Sequence, residues 1–149
     1  MITHRLHGNE NMRGFSLLEL LIAITLLAIG LLAAATMQGI AMNANSSANR
    51  ISTATMVGQQ VAEDLCSLKI TDTLLHTAVT NATYNRLFDQ ATNSSTAAAV
   101  LIPGAGTFSA QYDIAPNTPM TGTTQITVRV YYKGSTTPIV TCSTYKRVV

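Results

Sequence analysis

Charge is what this chain of 149 residues has least of. Asp, Glu, Lys and Arg make up 11% of it, against the ~25% usual for soluble domains. Nine basic and seven acidic side chains leave a formal charge of +2, a balance with no basic stripe for nucleic acid and no acidic tail. Tryptophan is absent, there are two cysteines, and the three histidines are His4, His7 and His76. Two of those imidazoles precede residue 15, so a His-based metal site or a Ser-His-Asp relay would have to be built on His76 alone. The carboxylates beyond residue 42 are Glu63, Asp64, Asp72, Asp89 and Asp113, and no two stand in an acid/base or metal-binding motif. Gly104-Ala105-Gly106 lacks the third glycine and the strand-to-helix setting of a phosphate loop. The composition points away from an enzyme and implies no cofactor and no metal. At this length a large multidomain enzyme is excluded and one compact domain is expected.

Basic residues and prolines are missing from one long stretch in particular. Between Phe15 and Met42, 21 of 28 residues are hydrophobic and the only charge is Glu19, whereas from Asn43 to Val149 the hydrophobic count is 45 of 107. The chain is therefore an apolar segment joined to a polar domain. As a helix the apolar run spans about 42 Å at ~1.5 Å per residue, more than the ~30 Å hydrocarbon core of a bilayer. Arg5 and Arg13 precede it and the next basic residue is Arg50. The positive-inside bias then puts Met1 in the cytoplasm and Asn43 onward on the far side.

Glu19 is the residue a plain anchor would not carry. A carboxylate inside an apolar helix costs about 2.5 kcal/mol or more on lenient insertion scales, and an ionisable group at that depth calls for a named partner. Cleavage between Gly14 and Phe15 would create a free amine four residues before Glu19, with no other cation in the segment. Within one helix a first-turn carboxylate also faces the positive end of the dipole. Between helices packed side by side, Glu19 of one chain can pair with the Phe15 amine of another.

The order Arg13-Gly14-Phe15-Ser16-Leu17-Leu18-Glu19, followed by a long apolar run, resembles the class III signal of type IV pilins and pseudopilins. The resemblance implies that a prepilin peptidase removes a leader, residues 1–14, after Gly14, and that Phe15 is then N-methylated. It implies that Glu19 is the assembly glutamate. Residues 15–42 become the transmembrane and filament-core half of a helix, and 43–149 a periplasmic globular domain. Ala28-Ile29-Gly30-Leu31-Leu32 is similar to the PilV branch of minor pilins and to the minor pseudopilins of type II secretion, and Val140 to Tyr145 is similar to their last strand. Many major pilins kink this helix with a proline near the position of Thr36; here Gly30 and Gly39 are the only helix-weakening residues. The function implied is a minor pilin of a type IV pilus, with a minor pseudopilin of type II secretion as the alternative. The partners implied are other pilin subunits through the N-terminal helix, the peptidase, and inner-membrane lipid before assembly. A rival from another class is a secreted or anchored binding module whose ordinary signal peptide ends at Ala33-Ala34-Ala35 and releases the chain from Thr36. That reading leaves Glu19 without a purpose.

Past Asn43 the helical pattern turns amphipathic. Ile51, Ala54, Gly58, Val61, Leu65 and Leu68 recur at spacings of three and four, and no proline interrupts residues 15 to 70. The spacing predicts one long helix whose second half lends a core stripe to a folded domain. Residues 71 to 107 predict the least regular structure, with short helices at Leu74–Val79 and Tyr84–Ala91, a loop at Asn93–Thr96, and a short strand from Ala97 to Ile102. The last third alternates with period two: Phe108 to Ile114, Ile126 to Lys133, and Ile139 to Tyr145, separated by turns at Pro116–Gly122 and Lys133–Thr137. A sheet with one buried face needs a cover and the helix stripe supplies one, which gives an α+β fold of the pilin-like kind, a long N-terminal helix on a small antiparallel sheet.

Cys66 falls at the edge of the helix stripe and Cys142 on the last strand. In an oxidising compartment such a pair either bridges, stabilising by about 4 kcal/mol through the loop it closes, or remains two buried thiols; both readings stay open. His76 is expected at the surface. Tyr131 with Arg129 and Lys133 reads as a solvated strand face rather than a surface for a partner or DNA.

Overall fold

The computed structural model describes residues 15–89 and 94–149; Gly14 lies outside them. The chain divides into two units between Met42 and Asn43. Helix α1 (Leu17–Ser67) runs through 51 residues, as the absence of proline predicts. In the first unit its side chains are exposed throughout.

The second unit is α+β, with the second half of α1 packed on an antiparallel sheet. A four-residue helix α2 (Thr73–His76) is followed by β1 (Val79–Thr83), β2 (Leu87–Asp89), β3 (Ser94–Ala97), β4 (Ala99–Ile102), β5 (Gly106–Pro116), β6 (Thr123–Tyr132) and β7 (Val140–Arg147). The main sheet has the order β1-β5-β6-β7, with β4 also on β5, while β2 and β3 make a separate two-stranded sheet. Strands β1 and β4 share one edge of β5: β1 meets Gln111 to Ile114, and β4 meets Gly106 to Ser109.

Register decides which side chains face the helix. Phe108 pairs with Tyr132, Ala110 with Val130, Tyr112 with Val128 and Ile114 with Ile126, so the even-numbered positions of β5 and β6 share one face. Phe108, Ala110, Ile126, Val128 and Val130 are fully buried there, against Ala54, Val57, Val61 and Leu65 of α1. Gly58 sets how closely the helix lies. A Cβ at that position would stand 3.2 Å from Cys142 Sγ and 3.3 Å from Val130 Cγ2, so only a residue without a side chain fits this approach comfortably.

The core stripe differs from the expected one at its upper end. Ile51 is 52% exposed, and Val57 is buried instead. The sheet ends near Phe108 and Tyr132, and above that level Asn49 Nδ2 donates to Gly104 O at 3.1 Å. The helix there meets turn backbone, and Ile51 has no apolar layer to enter. Residues 71 to 107 are also more regular than expected. Leu87–Asp89 is strand rather than helix, residues 84–86 belong to no regular element, and residues 94–96 are strand rather than loop; residues 90–93 lie outside the described ones. Residues Val79–Thr83 and Ala99–Ile102 satisfy backbone groups along an edge of β5 that would otherwise stand open.

The C-terminus of α1 is capped from a distance. Its last turn holds no basic residue, yet Lys146 Nζ, from β7, donates to the carbonyl oxygens of Cys66 and Leu68. A cation is thus placed on the negative end of the dipole and on two carbonyls the helix leaves unsatisfied. The same register separates the cysteines. Cys142 lies opposite Gly58 and Lys146 opposite Cys66, and eight residues of helix rise about 12 Å, far beyond the ~4.4–6.8 Å between Cα atoms that a disulfide spans. Both cysteines are free, so the bridged alternative is not the arrangement this fold adopts.

Two substitutions test this packing by denaturant unfolding of the full chain in detergent. Lys146→Met should lower stability by about 1 kcal/mol, with Lys146→Arg close to wild type. Gly58→Leu should cost about 1–3 kcal/mol through overpacking against Val130 and Cys142.

Candidate functional site

The N-terminal end of α1 is built almost wholly of apolar side chains. The Leu20 N–H bonds to Ser16 O at 3.1 Å, so helical turns begin at Ser16 and place Phe15 about 6 Å along the axis from Glu19. Phe15 is 78% exposed, and Leu17, Leu18, Leu20, Leu21, Ile22, Ile24 and the large apolar residues through Met42 are exposed by half or more. Two polar groups inside this stretch satisfy themselves. Thr25 Oγ1 donates to Ile22 O and Thr36 Oγ1 to Ala33 O, both at 2.8 Å, which lets each hydroxyl sit in an apolar medium. Glu19, in the first turn, has no such device, and among the described residues no cation pairs with it. Of the residues singled out from sequence, the structure therefore brings Phe15 and Glu19 to one helix end. It leaves Cys66 and Cys142 apart within the globular unit. His76 is exposed, as expected, with Nε2 2.7 Å from Ile70 O.

The globular unit carries three polar clusters. On the outer sheet face, Arg129 forms a two-pronged pair with Asp113 at 2.7 and 2.6 Å and donates to Asn81 Oδ1 at 2.7 Å. Asn81, at φ 53°, donates its N–H to Asp113 Oδ1 at 2.7 Å. Beside α1, the Tyr84 hydroxyl donates to Asp64 Oδ2 at 2.5 Å, with Arg86 3.8 Å from the same oxygen. Burial and that carboxylate push the Tyr84 phenol far above its ordinary value. At the upper end of the sheet, Arg50 Cζ lies 5.1 Å and Lys133 Nζ 5.4 Å from the centroid of the Tyr132 ring.

This arrangement divides the expected strand face. Arg129 and Tyr131 lie on the outer side, and Arg129 is neutralised there by Asp113. Lys133 turns instead to the helix side, joining Arg50. Neither the Lys146 cap nor the Arg50–Tyr132–Lys133 group was legible in the alternation pattern, which carries no record of what crosses from strand to helix. One local signal was present: Lys133-Gly134 occupies a hairpin turn where Asn-Gly is the usual pair.

Residues 10–35 match a protein-family model, the prokaryotic N-terminal methylation motif. The match spans Phe15, Glu19 and the Gly14 position and ends within α1, and it supports a type IV pilin-like prepilin signal at the head of this chain. No curated protein and no solved structure matches the chain.

The Arg129–Asp113 clasp makes a test of pH dependence. Hydrogen bonds from the Arg129 guanidinium, chiefly, and from the Asn81 N–H hold the Asp113 carboxyl below its ordinary value. The stabilisation is complete above the unfolded carboxyl pKa of ~3.9 and is lost as pH falls through the lower folded value. Asp113→Asn should therefore reduce stability at pH 7 and flatten its decline below pH ~4, as read from unfolding midpoints across pH.

Proposed function

We propose that this protein is a structural subunit of a type IV pilus, a minor pilin of the PilV kind, made as a prepilin. Arg5 and Arg13 hold the leader in the cytoplasm while residues 15–42 enter the inner membrane and 43–149 fold in the periplasm. Prepilin peptidase cuts between Gly14 and Phe15, and Phe15 is N-methylated. The subunit then leaves the bilayer for the filament, where helices of neighbouring pilins replace lipid around its apolar half. Gly30, Ala33, Ala34 and Ala35 let those helices approach closely.

The observation that carries this reading is Glu19, a carboxylate with no cation partner among the described residues, on the first turn of a helix with exposed apolar sides and four residues from the expected new amine. Residues 15–42 of its own helix offer no cation, and the Phe15 amine of a neighbouring subunit does. A structural role also accounts for Asp64 and Asp113, which are held by Tyr84 and Arg129. The minor pseudopilin of type II secretion uses the same chemistry and differs in the machine it serves.

Intact mass of the protein from its native host should begin at Phe15 with one added methyl group; a start at Met1 or at Thr36 overturns the processing. Glu19→Ala should insert and be cleaved normally yet fall more than about tenfold in sheared filaments, since truncating one member of a desolvated ion pair costs about 2–5 kcal/mol. Wild-type incorporation would remove the assembly role. Deleting the gene should abolish or thin surface pili and leave protein secretion intact; the reverse pattern assigns the chain to a secretion pseudopilus.

A further inference from the structure

The Arg50–Tyr132–Lys133 group is the one cluster of like charge in the globular unit that nothing described so far explains. The two cations border a groove of about 410 Å³ together with Ser46 and the Pro103–Gly106 turn. No carboxylate lines it, and among the described residues neither cation is in an ion pair. The contrast with Arg86 and Arg129, each beside a carboxylate, is direct. The ring attracts each cation, and an anion placed beside both would offset their mutual repulsion.

The backbone around Lys133 points the same way. Ser135 N bonds to Tyr132 O at 2.9 Å, closing a turn with Lys133 at φ 49° and Gly134 at φ 71°. Both central residues are left-handed, which suits Asn-Gly and strains a residue such as lysine. A residue held against its conformational preference at an exposed turn is a reason to look for a role in its side chain. Here that role is charge. The ring between the cations is fixed by Gly106, at φ 111°, where a Cβ would come within 2.6 Å of Tyr132 Cε2.

We infer that this groove holds the phosphodiester of an anionic phospholipid, in the outer leaflet of the inner membrane, while the subunit waits to be assembled. The inference rests on the membrane reading above, which puts Asn43 onward on the periplasmic side. The apolar run exceeds the ~30 Å hydrocarbon core and must tilt to stay within it. Asn43 then enters the headgroup layer, and Arg50 follows seven residues later, about 10 Å along the helix. Headgroup phosphates add about 5–8 Å per leaflet beyond the core, within reach of long basic side chains that extend toward the interface. Arg50 supplies planar donors for phosphate oxygens and Lys133 a point charge. Ser46 and the turn glycines leave the groove open for the ester. Two basic groups on anionic headgroups hold the globular unit at the membrane yet weakly enough to release it into a filament.

The full chain in neutral detergent, titrated with phosphatidylglycerol and separately with phosphatidylcholine, tests this by native mass spectrometry. Wild type should retain phosphatidylglycerol at least tenfold better than phosphatidylcholine. The double variant R50Q/K133N should lose that preference, while K133N alone should unfold at the same or higher denaturant, because asparagine suits the turn. Equal retention of the two lipids by wild type, or undiminished phosphatidylglycerol retention by the double variant, overturns the proposal. Displacement of the lipid only by millimolar inorganic phosphate that itself binds as tightly would show a free-phosphate site and also overturn the lipid as occupant. Carbonate extraction of native membranes keeps the two readings apart. A chain released by carbonate fails as a membrane-inserted subunit, whereas one that stays and shows no lipid preference leaves that reading intact and removes only this site.

Discussion

An α-helix satisfies its own backbone hydrogen bonds, and the rest of this molecule depends on that property. It allows α1 to serve two surroundings without changing its fold. Through Met42 the side chains are those of a lipid or helix-bundle environment, with threonine hydroxyls folded back onto their own carbonyls. From Thr53 the same helix becomes one layer of a water-surrounded core, pressed against β5, β6 and β7. The change is made by side chains alone, with no break at Gly30 or Gly39. In such a construction a charged group in the first half must be matched by something, and Glu19 is the charged group that the helix itself leaves unmatched.

The sheet meets the second half of α1 through small differences of volume. Gly58 admits Cys142 and Val130 to the helix backbone; Ala54 and Ala110 keep the layer thin beside it. Where the apolar layer ends, at Phe108 and Tyr132, polar contacts take over: Asn49 to the Gly104 turn above, Lys146 to the helix end below. The core is therefore bounded at both ends by side chain to backbone hydrogen bonds, and this fixes the axial position of the helix on the sheet more firmly than apolar contact, which is non-directional.

Much of this was legible in the sequence because it is periodic. The unbroken helix, the three long strands and the face of β6 that carries Ile126, Val128 and Val130 follow from spacing. The short strand ending at Ile102 was also legible, but the segment from Val79 to Thr96 was not, since its threonines, asparagines and alanines carry little preference of their own. Val79–Thr83 becomes a strand because β5 presents an edge that needs pairing, a demand made by residues elsewhere in the chain, while β2 and β3 pair with each other. Ile51 was misjudged for the related reason that periodicity continues past the point where the sheet stops. At the N-terminus Glu19 stood out because it violates its surroundings, while Arg50 and Lys133, ordinary on a polar surface, acquired meaning only when the hairpin turned one toward the other.

The Lys146 contact has a consequence for biogenesis. Cys66 and Lys146 are separated by 80 positions, so the helix terminus is finished by a side chain that emerges long after it. Contacts of such sequence separation form late and slowly. As the chain folds, the exposed carbonyls at the end of α1 must wait, hydrated, until the final strand has formed. A polypeptide truncated before that strand would thus present an uncapped helix and an unprotected β6 edge, a form that a protease can distinguish from the completed chain.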